Sequence, residues 1–196
     1  MKNTIIALAT FVLAGSLSAS VATGQKAPDF TLTDTNGVQH SLSDFAGKTV
    51  VLEWLNHGCP FVVRHYESGN MQGLQDRYGD KGVVWLSIVS SAPGKQGYYP
   101  PEKANEITAD YEATPAAVLI DSTGDVGRLY SAETTPHMYV INPDGVLVYQ
   151  GAIDDQPRGR DPSQANNFVA NALDASMAGE PIPNGTTRPY GCSVKY

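Results

Sequence analysis

The chain of 196 residues holds only two cysteines, Cys59 and Cys192, too few for a framework of bridges. Small exported domains that depend on disulfides carry many more, so this chain has to hold itself together with an ordinary core. It also lacks a basic patch or a long run of like charge: 13 Lys and Arg stand against 20 Asp and Glu. That balance argues against nucleic acid and anionic membrane as partners. No apolar stretch is long enough to cross a bilayer comfortably, which takes about 20 residues. Internal repeats and low-complexity tracts are absent as well.

What is present begins with an address. Lys2 precedes the apolar stretch Ile5 to Leu17, and Ser20-Val21-Ala22 offers small residues where a signal peptidase reads. Residues 1–22 are expected to be a cleavable signal peptide, with an uncleaved membrane anchor as the alternative. The expected location is periplasmic or otherwise extracytoplasmic, where disulfides persist. Residues 23–178 suit one domain with a proper core. Residues 179–196 form a Pro/Gly-rich tail that carries Cys192.

Along the domain, Ala27 to Leu42 reads as a small hairpin around Asp34-Thr35-Asn36-Gly37. Thr49 to Leu55 and Gly82 to Val89 are nearly continuous apolar runs, as expected of strands buried on both faces. A helical stretch from Pro60 towards Tyr78, interrupted near Gly69 or Gly73, joins them into a right-handed βαβ unit. A second helix starts near Pro101, with Ala104, Ile107, Thr108 and Tyr111 inward. Ala116 to Asp121 is a third buried strand. His137 to Ile141 and Val146 to Tyr149 form a hairpin around Asn142-Pro143-Asp144-Gly145. A final helix is expected with Asp161 as N-cap and Gly179 as its end. The class is α/β, with a parallel half and an antiparallel half.

Cys59-Pro60 follows the first core strand and opens the first helix. Free N–H groups at a helix start favour an anion, so a thiol there ionises more readily than its free value of about 8.5. With exposure, such a thiol is a nucleophile; the plain alternative is a buried small hydrophobe or one end of a stapling disulfide. The tail from Gly179 to Gly191 extends to about 40 Å, against a radius of gyration of about 16 Å, so Cys192 can reach Cys59. A redox-cycling pair and a permanent staple are both compatible with that reach. Glu53, inside the first core strand, either faces outward or handles protons beneath the thiol.

Ala27-Pro28-Asp29-Phe30, Leu42 to Lys48, Val50-Val51-Leu52, Cys59-Pro60, Gly127 to Tyr130 and Thr134-Thr135-Pro136 together resemble the thioredoxin-like redoxins. That group takes in the alkyl hydroperoxide reductase/thiol-specific antioxidant peroxiredoxins and the TlpA-like thiol–disulfide oxidoreductases. The resemblance implies a thioredoxin fold, a mixed central sheet with flanking helices and an N-terminal hairpin extension. It implies Cys59 as the reactive thiol, Pro136 as the cis-proline facing it, and Thr135 presenting backbone to a disulfide substrate. Glu53 then matches the buried carboxylate that this fold often keeps near its thiol. Two departures stand out: Val62 replaces the second cysteine of a Cys-x-x-Cys motif, and Asn56 replaces the Thr or Ser of a peroxiredoxin. Arg64 and Arg128 are the candidates for the missing peroxidatic arginine.

The sequence therefore points to an exported thiol-dependent oxidoreductase. Cys59 attacks a protein disulfide or a small peroxide, and Cys192 or an external reductant thiol completes the cycle. No cofactor or metal is implied. A copper carrier built from Cys59 and His137, which directly follows Pro136, is the non-enzymatic alternative.

Overall fold

The computed structural model describes residues 21–159 and 161–196. The expected signal peptide thus lies almost wholly outside the described residues. Among the described residues, nine strands and five α-helices follow in the order β1 (Thr31–Asp34), β2 (Gln39–Ser41), β3 (Val50–Trp54), α1 (Pro60–Glu67), α2 (Asn70–Gly79) and β4 (Val84–Val89). The chain continues through α3 (Pro101–Asp110), β5 (Ala117–Ile120), α4 (Asp125–Leu129), β6 (Thr134–Thr135), β7 (His137–Ile141) and β8 (Leu147–Gly151). It closes with α5 (Phe168–Ala178) and β9 (Cys192–Ser193).

Seven strands form one sheet in the order β2-β1-β5-β4-β3-β7-β8. β3, β4 and β5 run parallel, while β7 and β8 on one side and β1 and β2 on the other run antiparallel. This is the mixed sheet of a thioredoxin fold, and the N-terminal hairpin joins it through β1 and β5.

β3 sits in the middle with every residue buried. Its alternation divides the core in two. Val51 and Leu55 pack with Val62 and Tyr66 of α1, Met71 and Leu74 of α2, and Val169 and Leu173 of α5. Val50, Leu52 and Trp54 pack on the other face with Phe30, Val126, Tyr130 and Tyr139. Trp54 stacks among Tyr130 and Tyr139 at centroid distances of 5.6 and 5.0 Å, and its indole N–H donates to Ser90 Oγ at 3.0 Å. Each such fully buried large side chain contributes about 1.5–3 kcal/mol from area alone.

Gly69, at φ 72°, is the interruption between α1 and α2. A left-handed residue there turns the chain sharply, which glycine alone does without a Cβ penalty. The last helix departs from the sequence expectation. Asp161 caps only a 3₁₀ turn, Pro162–Gln164, through Ser163 N–H. The α-helix begins seven residues later with Asn167 as its cap, accepting from Ala170 N–H. An N-cap followed by Pro is a sufficient signal for one turn. A full helix also needs an apolar stripe to bury, and that starts at Phe168.

The tail is docked along its length. Residues 185–187 lie beside β8, with Gln150 N–H donating to Gly185 O and Thr187 N–H to Gln150 O. Further on, β9 pairs antiparallel with β6, setting Cys192 opposite Thr135 and Ser193 opposite Thr134. Tyr190 and Cys192 pack against the α1 side of the core, and Val194 and Tyr196 against the other.

Candidate active site

Cys59 is the N-cap of α1 and Pro60 its first residue. Asn56 shapes the turn before it: its Oδ1 accepts Gly58 N–H at 2.8 Å, and its carbonyl accepts Cys59 N–H at 2.9 Å. The Ser90 to Pro101 loop closes over this turn, with Gln96 Nε2 donating to Gly58 O at 2.7 Å and Asn56 Nδ2 to Gln96 O.

The expected exposure of Cys59 is not found. Its side chain is fully buried, in a cluster against which Tyr190 and Cys192 pack. The Cys59 thiol donates to Thr135 O at 3.1 Å. The Thr135–Pro136 peptide bond is cis. Cys59, Thr135-Pro136 and Cys192, gathered from three distant stretches of sequence, thus meet at one point.

Cys59 and Cys192 are both free thiols, and each sets the other's ionisation. Burial alone pushes Cys59 up. The Cys192 thiol, the Val62 and Cys192 N–H groups and the Thr135 hydroxyl outweigh it and hold Cys59 below its ordinary value. Thr135 Oγ1 is buried with no other partner, so a thiolate is what it is free to serve. Thr135 O works the other way, since a carbonyl accepts only from the protonated thiol, yet the shift remains downward. Burial and the facing Cys59 push Cys192 up to about 11, with Lys195 opposing weakly. The site thus holds the Cys59 proton less tightly than a free cysteine does, and the Cys192 proton more tightly.

Glu53 does not face outward. It is fully buried on the α1 side of β3, accepting from Trp85 Nε1 at 2.8 Å, Ser87 Oγ at 2.9 Å and Tyr66 Oη at 2.9 Å. Burial raises its pKa against the pull of these three donors. Tyr66 lies two turns beyond Cys59 on the same helix, so the carboxyl sits beneath α1.

Other expectations are corrected. His137 does not approach Cys59: it is in register with Trp54, and it shares the face of Tyr139 and Ile141, opposite to the face where Cys59 packs. Its Nδ1 is engaged by Tyr139 Oη at 3.1 Å and Glu133 N–H at 3.3 Å. Among the described residues no three His, Cys, Asp or Glu side chains are placed to hold a metal ion. The two arginines are committed elsewhere. Arg64 donates to Gln156 O, Gly159 O and Tyr190 Oη at 2.9, 2.7 and 3.0 Å. Arg128 donates to Thr123 O and lies over the Tyr196 ring.

Sequence reasoning missed the clamp that holds the tail. Tyr190 Oη donates to Asp154 Oδ1 at 2.5 Å, accepts from Arg64 and lies 3.2 Å from His65 Nε2. His65 is buried and Asn70 engages its Nδ1 at 2.9 Å; burial lowers its pKa to about 4, so it is neutral at pH 7. The only sequence signal was a tyrosine two residues before Cys192.

The Redoxin family model matches residues 22–169. The chain belongs to the Redoxin family. Beyond it, this redoxin is 30% identical over 126 residues to the thiol-disulfide oxidoreductase ResA of Geobacillus kaustophilus, covering 64% of this chain and 67% of that one. A crystal structure of an uncharacterized conserved protein from Geobacillus kaustophilus superimposes with a TM-score of 0.80 at 28% identity, covering 89% and 92% of the two chains. A putative thiol:disulfide interchange protein DsbE from Chlorobium tepidum gives 0.59 at 25% identity, over 82% and 98%.

Proposed function

We propose that this redoxin is an exported thiol–disulfide oxidoreductase in which Cys59 is the nucleophile and Cys192 resolves its mixed disulfide. The observation that carries the reading is the meeting of the two thiols: Cys192 lies opposite Thr135, whose carbonyl accepts from Cys59 at 3.1 Å. Relatives named as thiol-disulfide oxidoreductases support it.

In the forward step, the Cys59 thiolate attacks one sulfur of a substrate disulfide. A Cys59–substrate disulfide forms and the other substrate sulfur leaves as a thiolate. Cys192 then gives up its proton to solvent or to that leaving thiolate and attacks Cys59 Sγ, releasing the second substrate thiol. The protein is left with a Cys59–Cys192 disulfide, having delivered two electrons, and an external dithiol reductant restores both thiols. The donors around Cys59 favour loss of its proton, and burial keeps Cys192 protonated while the two thiols face each other. Glu53 is a positioning residue beneath α1. Export through residues 1–22 places this exchange outside the cytoplasm.

A peroxidase reading finds less support in the site. Asn56, where a peroxiredoxin has Thr or Ser, is spent on the Gly58 turn and Gln96, and Arg64 and Arg128 bind elsewhere. The test is steady-state reduction of a protein disulfide by dithiothreitol with wild type, Cys59→Ser and Cys192→Ser. Catalysis by wild type that Cys59→Ser abolishes is the expected result; activity retained without Cys59 rejects the reading.

A further inference from the structure

The tail does more than deliver Cys192. Its strand β9 lies against Thr135, the residue whose carbonyl takes the Cys59 hydrogen bond, and with it seated Cys59 has no exposed surface. No outside disulfide reaches the sulfur while β9 is in place. The hold is specific: Val194 N–H donates to Glu133 O at 3.1 Å, Ala92 N–H to Lys195 O at 2.8 Å, and Tyr190 is clamped by Asp154 and Arg64.

Gly191 shows how narrow the seat is. A Cβ there would stand 2.0 Å from Thr135 O and 2.7 Å from its carbonyl carbon, and the residue's φ of 145° is one that side chains rarely allow. Two positions beyond Cys192, Val194 is buried. The seat thus accepts an extended segment with glycine immediately before its cysteine and a medium apolar residue two after it.

We infer that β9 is a resident copy of the partner: the substrate is an extended polypeptide segment carrying Gly-Cys, received on β6 as an added strand after the tail has left. Main-chain pairing of this kind gives affinity, and alternate side chains give specificity. The tail then returns to the same seat, so that restoring β9 expels the substrate strand in the step in which Cys192 attacks Cys59. The reduced protein guards its own thiolate between turnovers. This rests on the exchange chemistry proposed above and adds the identity of the partner and the cover that it displaces.

The test uses full-length Cys192→Ser protein, in which Cys59 is the only thiol, with and without Val194→Pro, which removes the amide bound to Glu133 O. Cys59 alkylation by iodoacetamide, followed by intact mass, is expected to be about tenfold or more faster once β9 is released. Equal rates would overturn the cover. Peptides Tyr-Gly-Cys-Ser-Val and Tyr-Ala-Cys-Ser-Val, each activated as a thionitrobenzoate mixed disulfide, are then coupled to the released protein. The glycine peptide is expected to couple about tenfold faster, the scale of relieving one hard overlap, while glutathione reacts equally with both. Equal coupling to Cys59 would overturn the glycine seat. Gly191→Ala gives a second release variant if Val194→Pro does not fold. Alkylation without coupling to either peptide or to a small disulfide would sink the exchange chemistry and leave the cover standing.

Discussion

Cys192 lies directly across a two-stranded ladder from Thr135, whose carbonyl accepts the Cys59 thiol at 3.1 Å. In the proposed exchange, that one relationship takes the place of a second cysteine in a Cys-x-x-Cys motif. Val62, where that cysteine would stand, is buried core and contributes its backbone N–H to the sulfur. The partner thiol comes from 133 positions away in sequence, brought back by a tail fastened at Tyr190 and Val194.

Replacing Cys192 by alanine removes the side-chain donor that does most to hold the Cys59 thiolate. The pH midpoint for Cys59 alkylation is expected to move up relative to wild type. A midpoint that stays or falls would mean that backbone donors alone set the ionisation.

Tyr190→Phe deletes one hydroxyl and leaves buried Asp154 Oδ1 with Gln156 N–H alone. A loss of about 1–3 kcal/mol in unfolding free energy is expected in urea titration. Cys59 in the same variant is expected to alkylate faster, because the tail is less firmly seated. A stability loss with unchanged alkylation would confine Tyr190 to packing.

Glu53 gives a stability profile with a definite sign. Its folded pKa is raised by burial, so the folded state holds the proton more tightly than the unfolded chain, whose value is about 4.3. The contribution is fully present below that pH and is lost as pH rises through the folded value, at up to about 1.4 kcal/mol per pH unit. Glu53→Gln cannot ionise, and Gln still accepts from Trp85 and Ser87. Thermal melts from pH 4 to 8 are expected to show wild type losing stability relative to the variant. A gap that widens in the other direction would show that Glu53 is stabilised as the anion.

Peroxide is expected to be a poor oxidant of this thiol. Sulfenic-acid trapping at Cys59 at millimolar peroxide should proceed no faster than for a free thiolate, since no arginine described at the site reaches the sulfur. Rapid oxidation would restore the peroxidase reading.

The sheet was legible because its central strands announce themselves. Val50 to Trp54 and Val84 to Val89 are nearly continuous apolar runs, as two-sided burial requires, and the helix break was expected at Gly69 or Gly73 and falls at Gly69. His137 was misplaced for a reason of parity. Being next to Pro136 in sequence says nothing about side, and in β7 it falls on the face of Tyr139 while Met138 turns towards Glu53. The burial of Cys59 was hidden for another reason. β9 is two residues long and pairs across the fold, so neither periodicity nor composition signals it. Asp161-Pro162 promised a helix that lacked an apolar stripe until Phe168. Local rules worked wherever burial was continuous, and failed where the partner came from far along the chain.

The central claim is that Cys192 resolves what Cys59 captures. Fully reduced wild type mixed with one equivalent of a disulfide-bonded peptide, quenched with acid and alkylated, is mapped by mass spectrometry. The account predicts a Cys59–Cys192 disulfide and free peptide thiols in wild type, with Cys192→Ser stalled as a Cys59–peptide disulfide. Wild type that instead accumulates the Cys59–peptide species, with Cys192 still alkylated, would contradict it.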